Sequence, residues 1–360
     1  MELTDLPLPP ATLAGVEPGA LADQFVSWGY KPSHALRLLR ALYQGLDLEQ
    51  GAGLPARFPV GLLERVRSAF PASAAVEALR EVGADGTTKF LLRLHDSRSV
   101  ESVLMPDYRP DRAAGCLSSQ VGCAMGCDFC ATAKSGFDRN LTVGEIVGQF
   151  ILLRRAAQAV GRRLQTLVFM GMGEPMLNLP AVLEAVRRIA DNRLGGIGWR
   201  QITLSTVGVV PGIEALCETG LNVQLALSLH APDDATRARL LPAGRRFPIA
   251  DILAAADRFQ ALRGRPVIIQ YCLLAGVNDT PEHARMLADR IGSRRMHVNL
   301  LRYNATGTSL RGVNYQPSSD EASEAFAAGL RGRGVVAHFR RSRGPDINAA
   351  CGQLRETAGG

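Results

Sequence analysis

Four of the seven cysteines crowd into one segment, GCLSSQVGCAMGCDFCATAKSGF, running from Gly115 to Phe137. Cys123, Cys127 and Cys130 follow a C-x3-C-x2-C spacing, and Cys116 stands seven residues upstream. Thiolates are soft metal ligands and good nucleophiles. Three readings are open. Thiols at i, i+4 and i+7 can form a core stripe on a helix face. They can close a four-ligand zinc site with Cys116 as the fourth donor. Or three of them can hold a [4Fe–4S] cluster and leave one iron open for a substrate or cofactor. Gly122 and Gly126 beside the thiols favour a wrapping loop over a helix.

A disulfide framework fits poorly, because seven cysteines is an odd count. The start, MELTDLPLPPATLAG, has no basic stretch followed by an apolar run, so it does not read as a secretory leader. No apolar stretch reaches the ~18 residues of a membrane span. These features predict a cytoplasmic protein with reduced thiols and no membrane partner.

Other chemistry-bearing residues lie outside the cysteine segment. In FMGMGEP, Gly173 lets backbone approach a ligand and Glu174 offers acceptors to an ammonium. Cys351 lies in DINAACGQL, Glu101 in SVESVLMP, and Arg340, Arg341 and Arg343 in HFRRSRG. The net charge is +7 and only three of the basic residues are lysines. Arginine pairs with phosphate in a bidentate manner, so a polyanionic partner is expected.

The elements that must position these residues follow from hydrophobic periodicity. Residues 1 to about 85 read as helical, broken at Gly29 and Pro32. TKFLLRLHDSRSVESVLMP reads as a β-hairpin. Beyond Cys116, strand-like runs (QTLVFMG, RQITLST, VQLALSLH, VIIQYCLL, HVNLLRY, VVAHFRR) alternate with helical stretches. That alternation implies βαβ units and a parallel sheet, enough for a partial barrel. Ser205 and Ser228 end strands, where such a barrel collects its ligand contacts.

The ordered set CLSSQVGCAMGCDFCATAKSGFDRNLTVGEI, FMGMGEP, ITLSTVGVVPGI, LALSLHAP, GVNDTPEHA, HVNLLRYN and DINAACGQL resembles the RlmN/Cfr family of radical S-adenosylmethionine (SAM) rRNA adenine methyltransferases, from about Thr88 to Leu354. The resemblance implies an α/β fold, a partial (β/α)6 TIM-like radical SAM barrel with a small N-terminal helical accessory domain. The expected division is a helical, RNA-contacting domain over 1–87, a hairpin extension over 88–114, the barrel over 115–345, and a C-terminal loop over 346–360 that carries the methyl-accepting cysteine.

It also implies roles. Cys123, Cys127 and Cys130 would hold the [4Fe–4S] cluster. Gly173, Glu174, Ser205, Ser228, Leu229, His230 and Asn304 would contact SAM. Cys351 would be methylated by one SAM and a second SAM would supply the radical, two per turnover. The methylene radical formed on Cys351 would add to the adenine carbon. Cys116 would resolve the resulting thioether and end in a disulfide with Cys351, and Glu101 would accept a proton. The spacer DYRPDRAAG between Glu101 and Cys116 is slightly longer than in the family pattern. Arg340, Arg341 and Arg343 would meet the RNA.

The implied reaction is C2 methylation of adenosine 2503 in 23S rRNA, with adenosine 37 of tRNA as a second substrate. C8 methylation of the same adenosine, which gives ribosomal antibiotic resistance, is the alternative. The short tail after Cys351 and the lack of a proline-rich run after Asn304 lean toward C8, and the wider occurrence of the C2 activity leans the other way. An external electron donor such as flavodoxin or ferredoxin and a monomeric state are also expected. A reading from another class is a zinc-stapled, non-catalytic RNA-binding protein.

Overall fold

The computed structural model describes residues 12–48, 58–71 and 74–354. Residues 1–11, used above to argue against a leader, and 355–360, the end of the short tail, lie outside the described residues. The chain opens with helices α1 (Pro18–Ser27), α2 (Ser33–Tyr43) and α3 (Val60–Ala69), then an antiparallel meander of β1 (Ala75–Val82), β2 (Thr88–Leu94), β3 (Ser99–Pro106) and β4 (Arg112–Cys116). A small hairpin of β5 (Gln120–Gly122) and β6 (Phe137–Asn140) encloses the short helix α4 (Ala131–Lys134). Alternating units follow: α5 (Val143–Ala159), β7 (Arg163–Phe169), α6 (Leu179–Ala190), β8 (Ile202–Thr206), α7 (Val210–Glu218), β9 (Gln224–Ser228), α8 (Asp234–Leu240), α9 (Ile249–Arg263), β10 (Val267–Leu273), α10 (Pro281–Ile291), β11 (Met296–Arg302), α11 (Asp320–Arg331) and β12 (Val336–Arg340). Among the described residues no helix is long and apolar enough to cross a membrane.

Ten strands form one sheet in the order β1-β2-β3-β4-β7-β8-β9-β10-β11-β12. From β4 to β12 every neighbouring pair is parallel. This is the partial α/β barrel expected from the alternating pattern. Parallel strands buried on both faces read as continuous apolar runs, as VIIQYCL of β10 does.

Two differences from the periodicity reading matter. The stretch read as helical through residue 85 ends in β1, whose Val76, Leu79 and Val82 stay exposed at the sheet edge. And RAAGC, read as a spacer, is β4, the first parallel strand, inserted between β3 and β7. Its alanines and glycine carry little strand propensity. Tertiary packing selects it: a side chain on Gly115 would meet Leu153 of α5 and Leu167 of β7 at 2.9 Å.

Helix α5 fastens the segment after β4. Thr142 and Glu145 form a reciprocal capping box at its start. One turn on, the buried Gln149 amide oxygen accepts from the Ser102 hydroxyl at 2.7 Å and the Ser118 N–H at 2.8 Å, while its nitrogen donates to the Ser118 carbonyl at 3.1 Å. The N-terminal helices dock behind it: buried Arg154 donates to the Tyr43 carbonyl at 2.9 Å. Gln149→Leu orphans both backbone groups of Ser118 without a water to replace them. It should lower stability by about 3 kcal/mol, read from the urea midpoint under anaerobic conditions.

Candidate active site

The cysteine triplet lies on a loop, as Gly122 and Gly126 suggested. Gly122 has φ +68, and a Cβ there would stand 2.0 Å from the Gly136 carbonyl oxygen. That close approach lets the Cys123 N–H donate to Gly136 at 2.6 Å and closes the loop. Cys130 then caps α4. Between them, buried Asp128 accepts from the Arg311 N–H at 3.1 Å and the Tyr315 hydroxyl at 2.7 Å, and its own N–H donates to Leu240 of α8 at 2.8 Å. Burial pushes the Cys123 thiol up to about 12, with Cys130 and Glu174 adding to it, and raises Cys127 well above its ordinary value, with Cys130 and Cys123 adding to it. The thiols of the triplet therefore lie close enough to act on one another.

The loop opens on a cavity at the carboxyl edge of the parallel strands. It encloses about 910 Å³ of space, part of it open to solvent. Cys127 and Cys130 line it with Gly173 and Glu174 after β7, Ser205 of β8, Ser228 and His230 at the end of β9, Asn304 after β11, and Cys351. Gly173 has φ +95, and a Cβ there would meet Gln120 Cβ at 2.5 Å. The Glu174 carboxylate accepts from the Met176 N–H at 3.0 Å and the Val207 N–H at 2.8 Å. Burial still pushes its pKa up to about 7, against those hydrogen bonds. Such a carboxylate, short of a cation, is suited to an ammonium ligand.

The Ser205 and Ser228 hydroxyls stand 3.3 Å apart. His230 has φ +58, a strained position for a residue with a side chain. Its Nδ1 accepts from the Cys272 N–H at 3.0 Å, so Nε2 carries the proton. Desolvation holds its pKa down at about 3, so the ring is a neutral donor. Leu229 differs from its neighbours: its side chain is in the core and its N–H donates to Gln270 at 3.1 Å.

Cys351 reaches the cavity because its segment is tied to the cysteine loop. The Ala131 N–H donates to the Gly352 carbonyl at 2.7 Å, and the Thr132 hydroxyl to Leu354 at 2.6 Å. Cys351 also lines a second, narrower cavity with Cys116, Asn304, Arg340, Arg341 and Arg343. The two thiols lie close enough for Cys351 to raise the Cys116 pKa, which burial drives up to about 12. Desolvation raises Cys351 too, and Arg340 opposes it. Glu101 lines neither cavity. It is buried on β3, on the sheet face of Val103 and Cys116, with Lys89 Nζ 3.2 Å from its carboxylate.

The Radical SAM superfamily matches residues 117–288. A probable dual-specificity RNA methyltransferase RlmN 1 of Opitutus terrae is 69% identical, over 97% of this chain and 98% of its own length. The corresponding protein of Rhodopirellula baltica is 42% identical over 94% and 90%. The crystal structure of a radical SAM methyltransferase from Sphaerobacter thermophilus superposes with a TM-score of 0.89 at 38% identity, covering 96% of this chain and 99% of that one. The chain belongs to the RlmN family of radical SAM RNA methyltransferases. Cys116 shares the second cavity with Cys351 and is absent from the cavity of Cys127 and Cys130, so it is not placed as a fourth ligand. Among the described residues no group of three or more His, Cys, Asp or Glu side chains is drawn in around a metal-ion position. Cys127 and Cys130 on an open cavity, with Cys123 on the same loop and Glu174 beside them, suit a three-ligand cluster with one open position.

Three residues of this RlmN site escaped the sequence reading. Cys272 and Gln270 of β10 line the main cavity, although VIIQYCLL reads as plain core. Their place at a strand's carboxyl end was the available signal. Arg237 of α8 is 1% exposed and had no signal at all. Its guanidinium donates to the carbonyls of Gly244 at 2.9 Å, Phe247 at 3.2 Å and Val207, while its Nε has no partner. The Val207 N–H in turn donates to Glu174, so the backbone of one residue contacts both the buried cation and the buried carboxylate. Arg237 also lies near enough to Cys127 to lower its pKa. Arg237→Met should cost about 3 kcal/mol of stability by orphaning these carbonyls, with the thermal midpoint of the anaerobic protein as the measurement.

Proposed function

We propose that this enzyme methylates C2 of adenosine 2503 in 23S rRNA and of adenosine 37 in tRNA. The observation that carries the reading is the position of Cys351. It belongs to two cavities at once, one walled by the cysteine loop and Glu174, the other by Cys116 and the arginines. The relatives' names, RlmN and dual-specificity, favour C2 and two RNA substrates.

In this reading Cys123, Cys127 and Cys130 hold a [4Fe–4S] cluster, and Glu174, Ser205, Ser228, His230 and Asn304 orient SAM. Together, cluster and SAM supply a one-electron cleavage that yields a 5′-deoxyadenosyl radical, the electron coming from a flavodoxin or ferredoxin. The chain's own residues do the rest. Adenine C2 is too electron-poor to attack a methyl donor, whereas a thiolate is not. Cys351 therefore carries the methyl group as a thioether, and Arg340 favours its ionised form beforehand. Loss of a hydrogen atom from the S-methyl group to the 5′-deoxyadenosyl radical would let that carbon bond to adenine C2, and the adduct's unpaired electron would return to the cluster; the adenine must leave its stack to reach a cavity this narrow. After the C2 proton is lost, Cys116, across that cavity, attacks the Cys351 sulfur: the S–S bond forms as the S–CH2 bond breaks, the released carbon takes a proton to become the methyl group, and a thiol reductant reduces the disulfide before the next turnover. Glu101, held by Lys89, takes the proton lost from the adenine carbon. Two SAM are consumed per turnover. The enzyme works as a cytoplasmic monomer, its N-terminal region over 1–87 and the segment over 88–114 extending the RNA surface of the 115–345 barrel and the 346–360 loop.

Mass spectrometry of rRNA and tRNA nucleosides, after complementing a strain that lacks the C2 methyl, tests the reading. Restored 2-methyladenosine supports it, 8-methyladenosine moves the reaction to C8, and neither product refutes it. The two thiols should separate by stage. Cys351→Ala should abolish methyl transfer to protein. Cys116→Ala should still accept the methyl and should retain RNA covalently bound through Cys351, seen as a ribonuclease-sensitive band on a denaturing gel. The double variant should carry no RNA.

A further inference from the structure

We propose that Tyr108, at the tip of the turn between β3 and β4, is a stacking platform for a nucleobase beside the target adenosine. The proposal rests on the RNA methyltransferase reading and adds a recognition residue to it. Tyr108 is 86% exposed, the most exposed large apolar or aromatic side chain among the described residues. A tyrosine in water costs hydrophobic free energy unless a partner covers it.

Three observations specify that partner. The first is the neighbour: the Arg343 guanidinium lies 5.7 Å from the Tyr108 ring centroid. Arg343 is itself braced by Asp85 at 3.9 Å, and the next residue, Gly344, donates to the same carboxylate at 3.3 Å. A planar cation beside one aromatic ring leaves the other ring face for a flat, electron-rich group. Bases stack on aromatic rings and on arginine planes in this way.

The second is location. Arg343 lines the cavity that holds Cys116 and Cys351. Tyr108 and Cys116 also share one hairpin, with Arg112–Cys116 rising as β4 from the turn. From the foot of the turn at Arg112 to Cys116, four residues of strand span about 13 Å, a distance that a few nucleotides cover at about 3.4 Å per stacked base. Through Arg343, which lies against its ring and lines that cavity, the platform is placed beside the RNA that would flank an extruded adenine.

The third is order in the turn. The Asp107 N–H donates to the Arg112 carbonyl at 3.2 Å, the Arg112 N–H to Arg109 at 3.0 Å, and the Arg109 N–H to the Asp107 carboxylate at 3.3 Å. Pro110 adds a fixed φ. A ring on a pre-organised turn loses little entropy on stacking.

The test uses the full-length, cluster-loaded enzyme and a fluorescein-labelled RNA hairpin carrying the target adenosine, with 2-aminopurine in place of a flanking base. Tyr108→Ala should weaken binding about tenfold by anisotropy and raise 2-aminopurine emission in the complex. Tyr108→Trp and Tyr108→Phe should bind within about threefold of wild type. The slope of log affinity against log salt should not change, because stacking releases no counterions. Equal affinity of Tyr108→Ala and wild type overturns the proposal. So does a weaker Tyr108→Ala with a shallower salt slope, which would trace the loss to an arginine–phosphate contact. Failure of the wild-type enzyme to bind the hairpin would instead count against the RNA methyltransferase reading.

Discussion

A parallel sheet has one carboxyl edge, and every strand from β4 to β12 ends on it. Seven consecutive strands deliver their last residues to the same rim: Cys116 from β4, Gly173 and Glu174 just past β7, Ser205 from β8, Ser228 and His230 from β9, Cys272 from β10, Asn304 after β11 and Arg340 from β12. Residues that span more than two hundred positions in the chain thus meet without long loops. The helices that return each strand occupy the outside, so the rim stays free for ligand.

Polar groups hold the interior of that rim. Arg237 and Glu174 are both buried, and neither makes an ion pair with the other. They hold the two sides of one residue, the guanidinium on the Val207 carbonyl and the carboxylate on the Val207 N–H, which lie in successive peptide groups. The backbone at Val207 is thus fixed by two buried charged side chains, and Glu174 is left short of a cation. The His230 ring is set in a similar way, with Nδ1 tied to the Cys272 N–H and Nε2 left to donate. Pre-organised polar groups of this kind bind a ligand without rearranging at the moment of reaction.

The C-terminal segment completes the site from outside the sheet. Its hydrogen bonds run to Ala131 and Thr132, which directly follow Cys130. The methyl-carrying thiol of the proposed mechanism is thereby held by the same loop that holds the triplet. Desolvation raises the pKa of both Cys351 and Cys116, and Arg340 opposes the rise at Cys351.

The βα alternation, the loop nature of the cysteine segment and the strand ends at Ser205 and Ser228 were legible in the chain. They depend on local physics: hydrophobic period, glycine beside thiol, turn chemistry. RAAGC was not legible as a strand, because its side chains are too small to signal one and only α5 and β7 packing against Gly115 select it. Arg237 read as an ordinary helix arginine, since burial of a charge depends on neighbours up to thirty residues away. Cys272 read as core because strand pattern does not say which residue ends at the rim. Leu229 entered the expected SAM contacts through the family resemblance; its side chain lies in the core just past the end of β9. The sequence by itself determined the donor types, the sheet class and the family. The tertiary structure placed Cys116 and Cys351 on one cavity, a proximity that the family resemblance implied but local sequence pattern does not encode, because it requires strand order and a C-terminal tie whose contacts join residues far apart in the chain.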